Sequence, residues 1–163
     1  RNPTFVNHIQ LQTQKNKHHI FQGLISKDDR FDLSICNPPF HSSAKEAAKG
    51  SLRKTRNLND RKAVVAKLNF GGQSNELWCN GGEYEFIKQL IAESESQKMN
   101  FLWFTTLVSK STNLPHFNKW LLAAKADEIK VIEMRQGQKI SRLLCWTFLT
   151  KEQRNIWMNS RWK

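Results

Sequence analysis

The consecutive residues Asn37, Pro38, Pro39 and Phe40 are of types that could bind an aromatic amine. The Asn37 side-chain oxygen and the Pro38 backbone carbonyl can accept hydrogen bonds from the two N–H groups of an exocyclic amine on a base. Such an amine is a poor nucleophile because its lone pair is delocalised into the ring, and two acceptors would draw it toward a tetrahedral geometry. The prolines fix φ and remove two backbone donors, which stiffens the loop.

An aromatic ring completes this run of residues. Phe40 offers a face on which a flipped or single-stranded base can stack, which is worth ~1–3 kcal/mol. The chemistry that fits is methyl transfer from a sulfonium donor to the amine nitrogen, where positioning does most of the work. Two prolines that merely end a strand would leave Asn37 and Phe40 unexplained. We therefore predict that all four residues are catalytic.

The elements that must hold this loop alternate between strand and helix. Residues 31–36 form a short apolar run that ends at the prolines, which predicts a buried strand leading into the loop. We expect further strands at 9–14, 99–108, 129–134 and 143–149, helices at 43–49, 83–95 and 113–126, and a turn or short helix at 19–25. This order predicts an α/β fold with a mostly parallel sheet and a C-terminal antiparallel hairpin. Ligands of such sheets lie beyond the carboxyl ends of the strands.

The charge balance indicates a polyanionic partner. The 163 residues include 26 lysines and arginines against 14 acidic residues, a formal net charge of +12. Residues 45–67, the basic segment, hold eight basic and two acidic side chains. An ordinary solvated face is the alternative, but the segment directly follows the loop and lacks the apolar periodicity of a packed helix. We predict that it contacts RNA phosphates and is poorly ordered without RNA, with Lys49, Arg53, Lys54 and Arg56 among the contacts.

Composition excludes several other classes of protein. Ten phenylalanines and six tryptophans are too many for a disordered basic tail. No apolar run approaches the ~20 residues of a membrane span, and the N-terminus has no signal pattern. Cys36, Cys79 and Cys145 are odd in number and, like the histidines, show no metal-ligand spacing, so we expect no metal and a reducing cytoplasm. Cys36 closes an apolar strand and is predicted to be a small buried filler.

Several strings in order along the chain resemble one known family. The Asn-Pro-Pro-Phe run resembles motif IV of the S-adenosylmethionine-dependent amino-methyltransferases. With it, nearly the whole chain is similar to the bacterial 23S ribosomal RNA adenine-N6 methyltransferases, which are related to the eukaryotic U6 small nuclear RNA adenine methyltransferase. The strings that carry this resemblance are residues 36–43, 53–58, 68–73, 76–79, 81–83, 103–105, 136–139, 141–142 and 146–148.

The resemblance implies a Rossmann-like class I methyltransferase fold, S-adenosylmethionine as donor, and one adenine of 23S rRNA as target. It implies that Asn37 and Pro38 hold the adenine amine, that Asn37 also touches the donor, and that Phe40 stacks on the base. The further residues that it places near RNA are Gly71, Gly72, Glu83 and Arg142, and the candidates for the adenosyl pocket are Phe21 and Gln22. Trp78, which lies between two glycine pairs, is a candidate for the substrate pocket on its position alone. Glu83 has a simpler alternative role, as an acid in the first turn of its helix.

The chain departs from the family in one respect. The family's glycine-rich donor loop and the acidic residue after its second strand have no counterpart in residues 1–163. We therefore expect residues 1–163 to be a single catalytic domain that lacks its N-terminal strands, and to be inactive alone. A non-catalytic RNA-binding module and a glutamine-N5 or DNA amino-methyltransferase remain alternatives. The sequence leaves open naked rRNA or a large-subunit assembly intermediate as substrate, and we expect a monomer.

Overall fold

The computed structural model describes residues 8–43, 45–46, 78–137 and 139–162. Its elements in chain order are β1 (Phe31–Leu33), α1 (Gly82–Ser96), β2 (Phe101–Val108), α2 (Leu114–Ala123), β3 (Glu128–Gln136), β4 (Lys139–Thr147) and α3 (Lys151–Arg161). A short 3₁₀ turn, Ser111–Asn113, leads into α2. No helix of these described ranges is both long and apolar enough to cross a membrane.

The four strands form one sheet in the order β1-β2-β4-β3. β1 runs parallel to β2, with Phe31 opposite Phe101 and Leu33 opposite Trp103. The prediction of a buried strand over 31–36 is wrong in length and burial, since β1 ends at Leu33, which is 50% exposed. β4 pairs antiparallel with both β2 and β3. The predicted α/β class and the C-terminal antiparallel hairpin are confirmed. Within the part of the chain described here, only β1 and β2 pair in parallel, so this part of the predicted mostly parallel sheet is mixed.

The core lies between the sheet and the helices α1 and α2. β2, which confirms the strand predicted at 99–108, is buried along nearly its whole length and is therefore covered on both faces. The Phe104 and Trp146 rings stack across β2 and β4 with centroids 5.6 Å apart. The Trp146 indole N–H donates to Ser94 Oγ of α1 at 3.0 Å, so even this deeply buried ring has its polar atom paired. Each such buried apolar side chain contributes about 1.5–3 kcal/mol.

The polar C-terminal residues of the chain form helix α3, where the sequence analysis predicted no helix or strand. Thr150 and Gln153 make a capping box at its start. The Trp157 indole N–H donates to Asp32 Oδ1 at 2.7 Å, so α3 docks at the start of the sheet. The Arg154 guanidinium lies over the Trp103 ring, on the face of β2 opposite Phe104 because side chains alternate along a strand. α3 therefore contacts the face of the sheet opposite α1 and α2 through Arg154 and Trp157.

The strand predicted at residues 9–14 is wrong, because these residues have no regular structure. Ile9 and Leu11, whose alternation suggested it, are 60% and 87% exposed. Without a described neighbouring strand to pair with, so short an alternation does not make a strand. Residues 19–25 form turns, as one of the two predicted options had it.

Candidate active site

The Asn-Pro-Pro-Phe loop leaves the sheet at the carboxyl edge shared by β1 and β2. Beyond β1 the chain continues to run alongside β2 as far as Cys36, which forms a parallel bridge with Thr106. The Leu107 N–H donates to the Cys36 carbonyl at 3.0 Å. The prolines then end the ladder, since neither can donate a backbone hydrogen bond. The loop therefore lies where parallel sheets bind their ligands.

Within the loop, the burial of the four residues differs. Pro38 and Pro39 are buried, Phe40 is half-buried and Asn37 is exposed. The rigid prolines thus form the base of the loop and leave the Asn37 amide accessible. Burial raises the pKa of the neighbouring Cys36 thiol, against a weaker opposing hydrogen bond with Thr106. Cys36 is therefore held as a neutral thiol, consistent with the predicted filler rather than with a nucleophile.

A turn at the start of α1 fits tightly against this loop. Gly82 has φ +61°, and a Cβ there would lie 3.2 Å from the His41 carbonyl carbon and 3.3 Å from the Phe40 carbonyl oxygen. Trp78 forms a parallel bridge with His41, and the Cys79 N–H donates to the His41 carbonyl at 3.1 Å. The structure therefore brings Phe40, Trp78 and Gly82 together; a role of Phe40 and Trp78 in binding the base stays a prediction.

Glu83 is buried at 2% exposure and joins α1 to the end of β2. Its Oε2 accepts hydrogen bonds from the Ser109 N–H at 2.7 Å and from the Ser109 hydroxyl. Its Oε1 accepts from the Asn113 side-chain amide at 3.0 Å and the Lys110 N–H at 3.3 Å. Sequence reasoning missed these partners, whose signal was a polar Ser-Lys-Ser-Thr-Asn run directly after an apolar strand. The RNA contact suggested for Glu83 stays a prediction, and the observed contacts are all internal.

Arg142 lies at the same edge of the sheet. It is paired in register with Val108, the last residue of β2, and its side chain is 17% exposed. Its guanidinium lies 3.5 Å from the Glu133 carboxylate on the neighbouring strand. The hairpin therefore places one partly neutralised cation on the side of the sheet where the Asn-Pro-Pro-Phe loop ends.

The residues suggested for the adenosyl pocket lie beside α1. The Phe21 ring packs 5.3 Å from Phe101 between centroids, as part of the core border, whereas Gln22 is exposed. The backbone N–H groups of Ile20, Phe21 and Gln22 all donate to the Glu93 carboxylate. Burial acts to raise the pKa of Glu93, but these bonds and one from Gln89 outweigh it and hold that pKa below its usual value. Donor contact by Phe21 and Gln22 stays a prediction.

Several predicted RNA contacts lie outside the described residues: Lys49, Arg53, Lys54, Arg56, Gly71 and Gly72. The basic segment and its expected disorder therefore stay predictions, as does most of the helix at 43–49. Among the ranges that the structure describes, there is no cluster of three or more side chains suited to hold a metal ion.

A family model described as RNA methyltransferase matches residues 1–150. The chain belongs to this family. The ribosomal RNA large subunit methyltransferase F of Pseudomonas fluorescens (strain Pf0-1) is 54% identical over 156 residues, which cover 94% of this chain and 46% of that protein. The protein of the same name from Yersinia pseudotuberculosis (serotype O:1b, strain IP 31758) is 46% identical over 162 residues, covering 99% of this chain and 48% of that protein. The chain thus spans about half the length of these curated relatives, and the resemblance found in its sequence is confirmed.

Solved structures agree with this family assignment. The hMettl16 catalytic domain in complex with MAT2A 3'UTR hairpin 1 matches with a TM-score of 0.62 and 27% identity, over 81% of this chain and 44% of that chain. The same domain with hairpin 6 matches with a TM-score of 0.56 and 27% identity, over 74% of this chain and 41% of that one. The fold of this family member is therefore that of a partial class I methyltransferase domain, as predicted.

Proposed function

We propose that this chain carries the base-binding half of an RNA methyltransferase that acts on the N6 amine of an adenine in 23S rRNA. The observation that carries the proposal is the loop at the carboxyl edge of β1 and β2, with Pro38 and Pro39 buried and Asn37 exposed. Membership of the RNA methyltransferase family supports it, and so do relatives named as ribosomal RNA large subunit methyltransferases. The two alternatives from the sequence analysis have no comparable support.

In this proposal the loop positions the amine and the base. The Asn37 side-chain oxygen and the Pro38 carbonyl accept one N–H bond each, and Phe40 stacks on the adenine. The buried prolines keep both acceptors in place before the base arrives, so little ordering entropy is lost at that moment. Gly82 lets the backbone after Phe40 approach the start of α1 closely, because a Cβ at this position would lie only 3.2–3.3 Å from that backbone.

The donor implied by the family resemblance is S-adenosylmethionine, which would supply an electrophilic methyl group when bound. Asn37 fits this group, since its amide is exposed at the ligand-binding edge of the sheet. Gln22 is also exposed, whereas the Phe21 ring is packed on Phe101. The described residues therefore fit one side of a donor site, with Asn37 placed to contact both donor and acceptor.

RNA contact extends the proposal beyond the loop. A formal charge of +12 favours a phosphate backbone, and two solved relatives are complexes with RNA hairpins. Arg142, at the loop's edge of the sheet, and the cations of the basic segment, Lys49, Arg53, Lys54 and Arg56, are assigned to phosphates. Gly71, Gly72, Trp78 and Glu83 are assigned to the border of the base pocket. A ribosomal substrate in bacteria implies a cytoplasmic protein, and we propose that it acts as a monomer.

Substitution of Asn37 tests the proposal. In the full-length gene product that contains these residues, Asn37→Ala should lower methyl incorporation into unmodified 23S rRNA by at least about 100-fold, because one of two oriented acceptors is gone. RNA affinity should change by less than about twofold, since phosphate contacts dominate it. Asn118→Ala, an exposed position on α2, is the matched control. Equal activity of Asn37→Ala and Asn118→Ala would show that Asn37 is not catalytic. Digestion of the labelled RNA to nucleosides identifies the methylated atom.

A further inference from the structure

A groove of about 760 Å³ opens beside the Asn-Pro-Pro-Phe loop. Pro39 and Trp78 form the end nearest the loop, the outer face of α1 forms one side, and residues 14–20 form the other. Its volume lies in the ~300–1,000 Å³ range of small-ligand sites. Because Pro39 belongs both to the loop and to the groove, whatever fills the groove contacts the loop that carries Asn37 and Phe40.

The walls of this groove are fixed by specific contacts rather than by loose packing. Glu93 accepts the backbone N–H groups of Ile20 at 2.9 Å and Phe21 at 2.8 Å, which ties the second wall to α1. The Gln89 side-chain amide donates to the His18 carbonyl in the same wall. At the other end Trp78 is bridged to His41. The walls of the groove are therefore held by contacts within the protein.

The lining combines flat apolar surfaces with cations. Trp78, Phe86 and Pro39 supply the apolar surfaces. The described part of the lining also holds Lys17 and Lys88, the imidazoles of His18 and His19, and one carboxylate, that of Glu85. Glu85 lies 3.4 Å from Lys88 and offsets part of its charge. Aromatic rings beside cations are the combination that binds single-stranded nucleic acid, because bases stack and phosphates pair.

We propose that this groove binds a nucleotide adjoining the target adenine, with Trp78 stacking on its base and Lys17 and Lys88 contacting phosphates. The proposal rests on the proposed function for the identity of the base beside it. The groove then holds the strand on one side of the extruded adenine, so the energy of stacking a neighbour helps to offset the cost of unstacking the target.

The test measures binding of a fluorescein-labelled 12-nucleotide single-stranded RNA to the full-length gene product by fluorescence anisotropy. Trp78→Ala should weaken binding about 5- to 100-fold, and Trp78→Phe, which keeps a stacking face, should restore most of it. Trp162→Ala, a 58% exposed tryptophan just beyond α3, is the control and should bind as the unmodified protein does. Equal binding by Trp78→Ala and Trp162→Ala would overturn the proposal.

The lysines give a second readout that does not depend on the fold around Trp78. The double variant Lys17→Ala, Lys88→Ala should lower the slope of log affinity against log salt by about 1.4, since each single-strand phosphate contributes about 0.7. The pair Lys98→Ala, Lys119→Ala, both exposed and away from the groove lining, should leave the slope unchanged. The same slope for both double variants would contradict the assigned phosphate contacts.

Two further measurements distinguish this proposal from binding of the donor in the groove and from failure of the proposed function. If Trp78→Ala weakens binding of S-adenosylhomocysteine as much as binding of RNA, the groove belongs to the donor and the proposal is wrong. If Asn37→Ala retains full methyl transfer, the proposed function fails, while the groove is still judged by the Trp78 and lysine affinities. If Asn37→Ala loses activity and Trp78→Ala binds RNA normally, the proposed function is supported. The proposal that the groove binds a neighbouring nucleotide is then wrong.

Discussion

The two ends of strand β1 are held in different ways. At its carboxyl end, the Asn-Pro-Pro-Phe loop has two buried prolines and packs against the turn at Gly82, next to the buried Glu83. At its amino end, α3 is attached through Asp32, Trp157 and Arg161, whose polar contacts are partly open to water. Exposed ion pairs of this kind contribute little, because water competes for both charges. Rigidity is therefore concentrated on the side where the proposed chemistry takes place.

The difference separates the contacts that position the Asn-Pro-Pro-Phe loop from those that attach α3 to the sheet. Removing a buried carboxylate that accepts several hydrogen bonds breaks all of these charge-assisted bonds at once. A hydrogen bond at the surface leaves groups that water can satisfy. Substitutions at the two ends should therefore differ both in their effect on stability and in their effect on activity.

The largest effect is expected at Glu83. Glu83→Ala would remove the acceptor shared by Ser109, Lys110 and Asn113 from a site that is 2% exposed, and should lower the free energy of unfolding by about 2–4 kcal/mol. Urea unfolding of the variant measures this loss. Glu95→Ala, an exposed position on the same helix, should cost less than about 0.5 kcal/mol. A similar small cost for both variants would show that the carboxylate is not the link between α1 and β2.

The next effect is expected at Gly82, and Gly23 provides a matched control. Both have positive φ, +61° and +83°, but a Cβ at Gly82 meets the backbone of residues 40–42 whereas one at Gly23 has nothing within 4 Å. Gly23→Ala should therefore cost only the backbone strain of about 1 kcal/mol. Gly82→Ala adds displacement of the Asn-Pro-Pro-Phe loop, so its stability loss should be about 1–3 kcal/mol larger.

Activity separates the two glycine variants more clearly than stability does. Gly82→Ala should lower methyl transfer about 10- to 100-fold, because a shift of 1 Å in a positioning loop is costly. Gly23→Ala should retain the activity of the unmodified protein when both are assayed well below their unfolding temperatures. Equal activities would mean that the close contact at Gly82 does not position the loop.

Local patterns in the sequence were sufficient for some elements. The apolar run of β2 and the turn at Gly137 made the central strand and the hairpin predictable, since each is encoded within a few residues. The Asn-Pro-Pro-Phe loop was predictable in the same way, because two prolines end a strand whatever surrounds them. These are the features whose cause lies in neighbouring residues of the chain.

Features that depend on distant partners were not predictable. α3 has little apolar periodicity, with Ile156 69% exposed, and it is stabilised by Trp157 reaching Asp32 across 125 residues of chain. The partners of Glu83 lie 26–30 residues further along the chain, so its first-turn position was visible but its burial was not. The alternation of Ile9 and Leu11 gave a wrong prediction of a strand, because a strand forms only where it can pair with a neighbouring strand.

The smallest effect is expected at Asp32, at the amino end of β1. The hydrogen bond from Trp157 is the largest influence on the pKa of Asp32 and, with smaller contributions from Trp162 and Arg161, holds it below its ordinary value against the opposing effect of burial. Because the pKa is lower in the folded protein, the stabilising contribution is present above the unfolded value of about 3.9. It is lost as the pH falls through the folded value.

The unfolding free energies of the unmodified protein and Asp32→Asn should therefore differ at pH 7 and converge below about pH 4. Trp157→Phe, which keeps the ring and removes the N–H, should cost about 0.5–1 kcal/mol at pH 7 and also converge with the unmodified protein on acidification. Asp28→Asn, an exposed aspartate nearby in the chain, is the control for general charge effects. Methyl transfer by the full-length gene product should be unchanged in Asp32→Asn and Trp157→Phe, because the contact they weaken lies at the end of β1 opposite the Asn-Pro-Pro-Phe loop. A loss of activity without unfolding would show that the amino end of β1 also positions the site.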